Sequence, residues 1–164
     1  MTQDLTLFNK FISQFTTEEI ADVRRVGRNF YLAEERLWEI KTGVNRDVFS
    51  VGLFLGEEKH GFSASPALIE RISRMPDPAI QSRKIFINKK AEWLFLCGRN
   101  ILPESIVKNP SNITDGLVLV QNERDENLGY GLFKKEDQLI IKHVLDKGRY
   151  LRANENGKGR RKVG

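Results

Sequence analysis

The C-terminal half of the chain carries cations whose type and spacing suit contact with a polyanion. Arg99 and Asn100 follow Gly98 at a corner behind an apolar run, where backbone and guanidinium together could approach a phosphate or a base edge. Further basic residues stand at the edges of apolar segments or beside aromatic rings: Lys134, Lys135, Lys142, Arg149 and Arg152. Guanidinium groups engage phosphates and planar rings stack bases, so the set predicts binding of single-stranded RNA.

Some of these residues have an ordinary structural explanation as well. The arginine at the corner could be a solvated turn residue, and Lys134 with Lys135 could form a charged strand edge that blocks aggregation. Lys142, Arg149 and Arg152 are the stronger candidates. The first lies on an otherwise apolar segment, and the other two flank a tyrosine and a leucine in what we expect to be the closing strand.

Catalytic and metal-binding patterns are not visible in the sequence. The two histidines, His60 and His143, lie in different segments, and neither has a cysteine or carboxylate at ligand spacing. The acidic pairs Glu34-Glu35 and Glu57-Glu58 are adjacent in sequence, which is typical of solvated charges, and no serine stands in a Gly-x-Ser-x-Gly context. We therefore expect a protein that is not an enzyme and that uses no metal ion and no cofactor.

Charge and composition limit the class of protein further. Residues 1–82 carry 10 Lys and Arg against 12 Asp and Glu, whereas residues 83–164 carry 17 against 10. This asymmetry indicates an acidic or nucleic-acid partner for the second half, although the last residues supply part of the excess. The single cysteine, Cys97, predicts a small buried strand residue and a reducing, intracellular setting. No apolar run approaches the ~20 residues that span a bilayer, and the N-terminal segment lacks a signal-peptide core, so no membrane partner is expected.

Hydrophobic periodicity and turn residues predict the elements that position these side chains. In the first half we expect a helix around 5–15, a hairpin over 20–33 about Gly27, a helix over 34–41, a strand over 48–55, a turn over 56–61 and a helix from 65. The prolines near 75–78 form the strongest break, which places a domain boundary between 77 and 84.

The second half is predicted to be a compact sandwich or barrel of short strands. The expected strands are 84–87, 91–96, 117–121, 129–133, 138–144 and 149–151, with a short helical turn over 101–107 that begins with Pro103. The turns between them are expected to carry polar residues that include Asp125 and Asp146. Trp38 and Trp93 are expected to anchor the cores of the two halves. The last ten residues lack apolar periodicity and are expected to be disordered.

Three segments in order resemble a PUA domain, the small pseudobarrel of many RNA-modifying and ribosome-assembly proteins. They read FLCGRNIL, then DGLVLV followed by LGYGLF, then KHVLDKGRYLR. In the first half, RNFYLAEERLWEI, VFSVGLFLGE and FSASPALIERI resemble the N-terminal domain of the nip-seven family, archaeal and eukaryotic two-domain PUA proteins of ribosome biogenesis. The resemblance extends from about residue 5 to residue 152.

The resemblance implies an α+β protein of two domains. Residues 1–80 would form an N-terminal α/β domain with an antiparallel sheet that contacts proteins. Residues 83–152 would form a C-terminal PUA β-pseudobarrel that binds RNA, and residues 153–164 a basic flexible tail. The implied function is a non-enzymatic RNA-binding factor in pre-rRNA processing and ribosomal subunit assembly, a monomer that meets pre-rRNA and pre-ribosomal proteins. Its location would be cytoplasmic in an archaeon and nucleolar or nuclear in a eukaryote.

Two positions depart from the family pattern. Members often have Gly-Asn at the corner, where this chain has Gly98-Arg99-Asn100, and many have a lysine-rich turn where this chain has the acidic pair Glu57-Glu58. The acids put a second RNA contact at that turn in doubt. Two alternatives also stay open: an adaptor that binds an RNA-modification enzyme without touching RNA, and a remnant of a multidomain RNA-modifying enzyme.

Overall fold

A computed structural model describes residues 3–44, 46–47, 50–134, 138–149 and 152. The chain divides into two compact units, Met1–Ile80 and Gln81–Gly164. A short helix, α4, spans Pro78–Ser82 at the division. Each unit has its own sheet, and both are of mixed α and β content. The predicted basic tail, 153–164, lies outside the described residues.

The first unit packs helices on a four-stranded antiparallel sheet of order β1-β2-β3-β4. Its elements are α1 (Thr6–Ile12), β1 (Val23–Val26), β2 (Asn29–Leu32), α2 (Glu35–Gly43), β3 (Leu53–Lys59), β4 (Gly61–Ala64) and α3 (Pro66–Arg74). Phe8 of α1 stacks on Phe30 of β2 with 6.0 Å between ring centroids. Leu68 and Ile69 of α3 are fully buried.

Two predictions for this unit, a hairpin and a helix start, are confirmed, and in each a single residue sets the turn or the cap. The hairpin about Gly27 is confirmed, with Val26 paired to Asn29 and the glycine at φ 59°. The start of α3 is confirmed too, because the Ser65 hydroxyl oxygen accepts from the Leu68 N–H at 3.1 Å. Both features depend on neighbours in sequence, which is why periodicity and turn chemistry predict them.

The predicted turn over 56–61 is wrong. β3 continues to Lys59, and the chain reverses at His60 alone before β4 begins. Glu57 and Glu58 lie in the ladder opposite Ser63 and Phe62 of β4. Their charges are paired as well, Glu57 with Lys59 at 2.6 Å and Glu58 with Arg25 of β1. In the strand predicted over 48–55, residues 48 and 49 lie outside the described part of the chain.

The second unit is a five-stranded sheet of order β6-β5-β7-β8-β9 with one helix against it. Its elements are β5 (Lys84–Ile87), α5 (Lys89–Leu96), a 3₁₀ turn η1 (Pro103–Ser105), β6 (Ile106–Lys108), β7 (Gly116–Gln121), β8 (Asn127–Phe133) and β9 (Ile141–Asp146). β5 and β7 are parallel, and the other neighbours are antiparallel. On the outer side of β9, Ile101 forms a β-bridge with Ile141, which continues the sheet past its last strand.

The strand predicted over 91–96 is wrong, because those residues form α5. The Asn88 side chain caps the helix by accepting from the Ala91 N–H at 2.9 Å. Ala91 and Phe95, four residues apart, are the helix residues that enter the core. The apolar run therefore has helical rather than strand periodicity.

Three further expectations fail with that strand. Trp93 is 67% exposed and does not anchor the core, and Cys97 is exposed at the end of α5. Of the strand predicted over 149–151, Arg149 is helical instead, and the Arg152 N–H donates to the Gly148 carbonyl at 3.2 Å; residues 150 and 151 lie outside the described part of the chain. By contrast, Trp38 packs on the buried cluster of Tyr31 and its neighbours in the first unit.

Gly129 of β8 should be irreplaceable for steric reasons. It has φ 147°, and a Cβ there would lie 2.0 Å from the Leu145 carbonyl oxygen of β9. We expect Gly129→Ala to cost at least about 2 kcal/mol more than Gly116→Ala. Gly116 also has a positive φ, but a Cβ there would meet only the movable Arg83 guanidinium, at 3.1 Å. Equilibrium urea unfolding of both variants measures the difference, and equal costs would contradict the steric explanation.

Candidate nucleic-acid interface

The corner after α5 is a Schellman motif built on Gly98. The Gly98 N–H donates to the Phe95 carbonyl at 2.8 Å, and the Arg99 N–H donates to the Leu94 carbonyl at 3.0 Å. Glycine suits this position because its φ is 84°. The motif satisfies the last carbonyls of the helix and leaves the Arg99 and Asn100 side chains exposed.

The corner is fastened to β9. Asn100 Oδ1 accepts from the His143 backbone N–H at 2.9 Å. Ile101 and Ile141 exchange two backbone hydrogen bonds, of 2.9 and 3.0 Å. Lys142 stands between these two attachments, and its residue is exposed. The structure thus brings Arg99, Asn100 and Lys142 to one edge of the second unit, although 43 residues separate the corner from β9.

Asp146 is the buried centre of this edge. It ends β9 with a fully buried side chain. Its two carboxylate oxygens accept from Arg152, Oδ1 from Nη1 at 3.0 Å and Oδ2 from Nη2 at 2.7 Å. His143 Nε2 lies 2.5 Å from the same Oδ2. A bidentate Arg–carboxylate pair of this kind fixes orientation as well as charge.

These partners decide the charge state of the buried carboxyl group. Burial raises the pKa of Asp146, but the hydrogen bonds from Arg152 and His143 outweigh it, and the net pKa lies below its usual value. The carboxylate is therefore ionised at neutral pH and keeps Arg152 in place. The same hydrogen bond raises the pKa of Arg152.

Arg152 acts as a strut between β9 and the end of α5. Besides Asp146, its Nη1 donates to the Leu96 carbonyl, one of the last carbonyls of the helix. A Cβ built on Gly98 would lie 3.6 Å from Arg152 Nη2, so the guanidinium packs against the corner. The sequence predicted an RNA contact for Arg152; the structure gives its donors to two acceptors within the protein.

The other predicted site residues lie around this edge. Arg149 is exposed in the helical segment that follows β9. Lys134 is exposed immediately after Phe133, which pairs with Ile141 at the start of β9. Lys135 lies outside the described residues. Exposed cations thus lie along β9 and at both ends of it.

Sequence reasoning missed the two polar groups that organise the unit. Asp146 was expected in a turn; its partners His143 and Arg152 are three and six residues away in sequence, but only the fold buries the carboxylate between them. The second is Lys84, which is 4% exposed and whose Nζ lies 2.9 and 3.1 Å from the two carboxylate oxygens of Asp125 in the β7–β8 turn. The sequence signal for both was a charged residue bordering an apolar strand, and for Asp146 also a histidine and an arginine within six residues.

Comparison with known proteins finds matches to the second unit. Residues 83–155 match the family model described as the UPF0113 PUA domain. A curated UPF0113 protein of Archaeoglobus fulgidus is 30% identical over 78 residues, which covers 42% of this chain and 45% of the relative. The chain thus spans less than half the length of that relative.

A solved structure shares the fold. It is the structure of a conserved PUA domain protein from Thermoplasma acidophilum, with a TM-score of 0.55 at 12% sequence identity, covering 89% of this chain and 91% of the other. The predicted PUA domain and the α+β class with antiparallel sheets are therefore confirmed. Within the described ranges, no helix combines the length and apolarity needed to cross a membrane. Nor do the described side chains form a group of three or more His, Cys, Asp or Glu suited to a metal ion.

Asp146→Asn should loosen the second unit in a pH-dependent way. Removing the charge leaves Arg152 without its ion-pair partner, at a cost of about 2–3 kcal/mol near neutral pH. Because the folded pKa of Asp146 is lowered, its stabilising effect is present above the unfolded pKa of about 4 and is lost as pH falls through the folded value.

Urea unfolding of the protein and of Asp146→Asn between pH 7 and pH 3 tests this expectation. The two free energies of unfolding should converge as the solution becomes acidic. Asp115→Asn, at an exposed position of the same unit, is the matched control and should leave stability nearly unchanged. A gap that stays constant down to pH 3 would contradict the assigned role of the carboxylate.

Proposed function

We propose that this chain is a non-enzymatic RNA-binding protein of ribosome biogenesis, acting in pre-rRNA processing and subunit assembly. The observation that carries the proposal is the edge at which Arg99, Asn100 and Lys142 converge on a PUA domain. The same edge would receive single-stranded RNA with little sequence preference, since its exposed groups are mainly phosphate-binding cations.

Rigidity of the backbone at this edge supports the proposal. The Schellman motif, the bond from His143 to Asn100 and the Ile101–Ile141 bridge fix the corner before any ligand arrives. A preformed backbone spends less binding free energy on ordering than a loop that folds on its ligand. The side chains of Arg99 and Lys142 then extend from a backbone that is already ordered.

The ribosomal part of the proposal rests on the first half of the chain. Its segments RNFYLAEERLWEI and FSASPALIERI resemble the N-terminal domain of the nip-seven family. That unit also offers a surface for proteins, because α2 has no buried residue and shows Leu37 at 40% and Ile40 at 59% exposure. Pre-ribosomal proteins are the partners that we propose for it.

An adaptor that binds an RNA-modification enzyme without touching RNA is the second candidate. The exposed apolar residues of α2 favour it, since large exposed apolar side chains mark protein contacts more often than RNA contacts. The salt dependence of binding distinguishes the RNA-binding protein from the adaptor. Release of counterions from RNA makes affinity fall steeply with salt, whereas an apolar protein contact changes little.

Removing three exposed cations should weaken RNA binding and its salt dependence together. The variant is Arg99→Ala, Lys142→Ala and Arg149→Ala, which leaves the Arg152 strut intact. With a factor of about 0.7 per phosphate contact on single strands, the slope of log affinity against log salt should shrink by roughly 2. Fluorescence anisotropy with a labelled uridine oligonucleotide from 50 to 200 mM salt measures it.

The matched control removes the same charge from the first unit. Lys10, Arg36 and Arg71 are exposed there, and their combined change to Ala should leave the slope close to that of the unaltered protein. Equal losses in both variants would mean that net charge, not the edge, attracts RNA. Absence of RNA binding in the unaltered protein, or binding that salt does not change, would favour the adaptor.

A further inference from the structure

Trp93 is the most exposed of the large apolar side chains described. It projects from α5 with 67% of its surface accessible, whereas Phe95, two residues on, is fully buried. Exposing an indole forgoes the free energy that its burial would contribute, and aromatic residues left outside a core are enriched where a partner binds. The exposed indole is therefore suited to contact with a ligand that has a flat apolar face.

A groove of about 450 Å³ lies beside the indole. Lys89 and Leu96 of α5 line one wall with Trp93, and the turn between β7 and β8 supplies the other through Asn122 and Arg124. Lys89, Trp93 and Leu96 are three or four residues apart on the helix, so they share one face. The groove lies wholly within the second unit.

The wall opposite the indole is rigid. Asn122 Oδ1 accepts from the backbone N–H groups of Arg124 at 2.9 Å and Glu126 at 3.0 Å. The buried Lys84 donates from Nζ to Asp125 Oδ1 in the same turn, at 2.9 Å. The turn that forms this wall is thus held by hydrogen bonds of its own side chains and of Lys84.

Charge in the groove favours a base over a phosphate. Glu92 and Glu123 offset Lys89 and Arg124 among the lining residues, so the groove as a whole does not attract an anion. It offers instead one aromatic face and several hydrogen-bonding groups. Nucleobases present a π face and N–H donors at their edges, which single-stranded RNA exposes.

The groove adjoins the cationic edge through Leu96. This residue lines the groove, and its carbonyl accepts from Arg152 beside the Gly98 corner. Leu96 is three positions after Trp93, a rise of about 4.5 Å along the helix, and the corner at Gly98 begins two positions later. A strand whose phosphates lie at the corner can therefore place a neighbouring base at the indole.

We infer that Trp93 is a stacking platform for one base of single-stranded RNA bound at the adjacent edge. The inference rests on the proposed RNA binding and assigns the phosphates and one base of the RNA to different surfaces of the second unit. The corner and β9 bind phosphates, and the face of α5 binds a base. Stacking of this kind is tolerant of sequence because every base has a π face.

Two independent measurements test the stacking platform: quenching of Trp93 fluorescence by an oligonucleotide, and the oligonucleotide affinity of Trp93 variants. Trp38 is the other tryptophan of the chain, so a Trp38→Phe background reports Trp93 alone. We expect a uridine oligonucleotide to quench this emission saturably. In the otherwise unaltered protein, Trp93→Ala should weaken oligonucleotide binding about tenfold or more by anisotropy, with the salt slope unchanged, and Trp93→Phe should recover much of the loss.

An abasic oligonucleotide of equal length is the decisive control. It keeps the phosphates, so the unaltered protein and Trp93→Ala should bind it equally. If the unaltered protein binds no RNA, the proposed function itself fails. If it binds RNA in a salt-dependent way but Trp93→Ala binds uridine and abasic strands like the unaltered protein, the platform is overturned, and the groove is left as a protein contact.

Discussion

A carboxylate without access to water has to be paired, and much of the second unit follows from the way Asp146 is paired. A buried charge of this kind is tolerated only when its oxygens are hydrogen-bonded by an opposite charge. Arg152 and His143 supply those bonds, and Arg152 extends them to the last carbonyls of α5. One carboxylate thereby joins a strand, a helix end and the segment after the strand. The geometry of the exposed edge depends on that buried junction.

If RNA binds as proposed, the exposed edge attracts the polyanion at a distance and the face of α5 recognises a base at contact. Exposed cations near the corner can draw a polyanion from a distance, because charge acts over a Debye length of about 10 Å at ordinary salt. The face of α5 acts only at contact, through the ring of Trp93. In the first unit, Arg24 and Arg25 are paired with Glu35 and Glu58, and α2 exposes Leu37 and Ile40. The two units therefore suit different kinds of partner.

Sequence alone predicted the elements that depend on neighbouring residues. The Gly27 hairpin and the Ser65 cap of α3 are local, and the PUA resemblance supplied the class of the second unit. The sequence prediction failed at α5, because a run of apolar residues resembles a strand unless Asn88 is recognised as a helix cap. It also misplaced Asp146 and Trp93. The burial of one and the exposure of the other depend on tertiary contacts that no periodicity in the sequence contains.

The attachment of Asn100 to His143 joins residues 43 positions apart, and the strut from Arg152 to Leu96 joins residues 56 apart. An edge assembled from such distant parts exists only while the unit is folded. A ligand that recognises the edge binds the folded state and ignores the unfolded chain, so it must raise the stability of the whole unit in proportion to the logarithm of its concentration. Short peptides copied from the corner or from β9 would carry the same cations without this property. Because the Asp146 junction holds these distant parts together, ligand binding at the edge is thermodynamically linked to folding of the second unit.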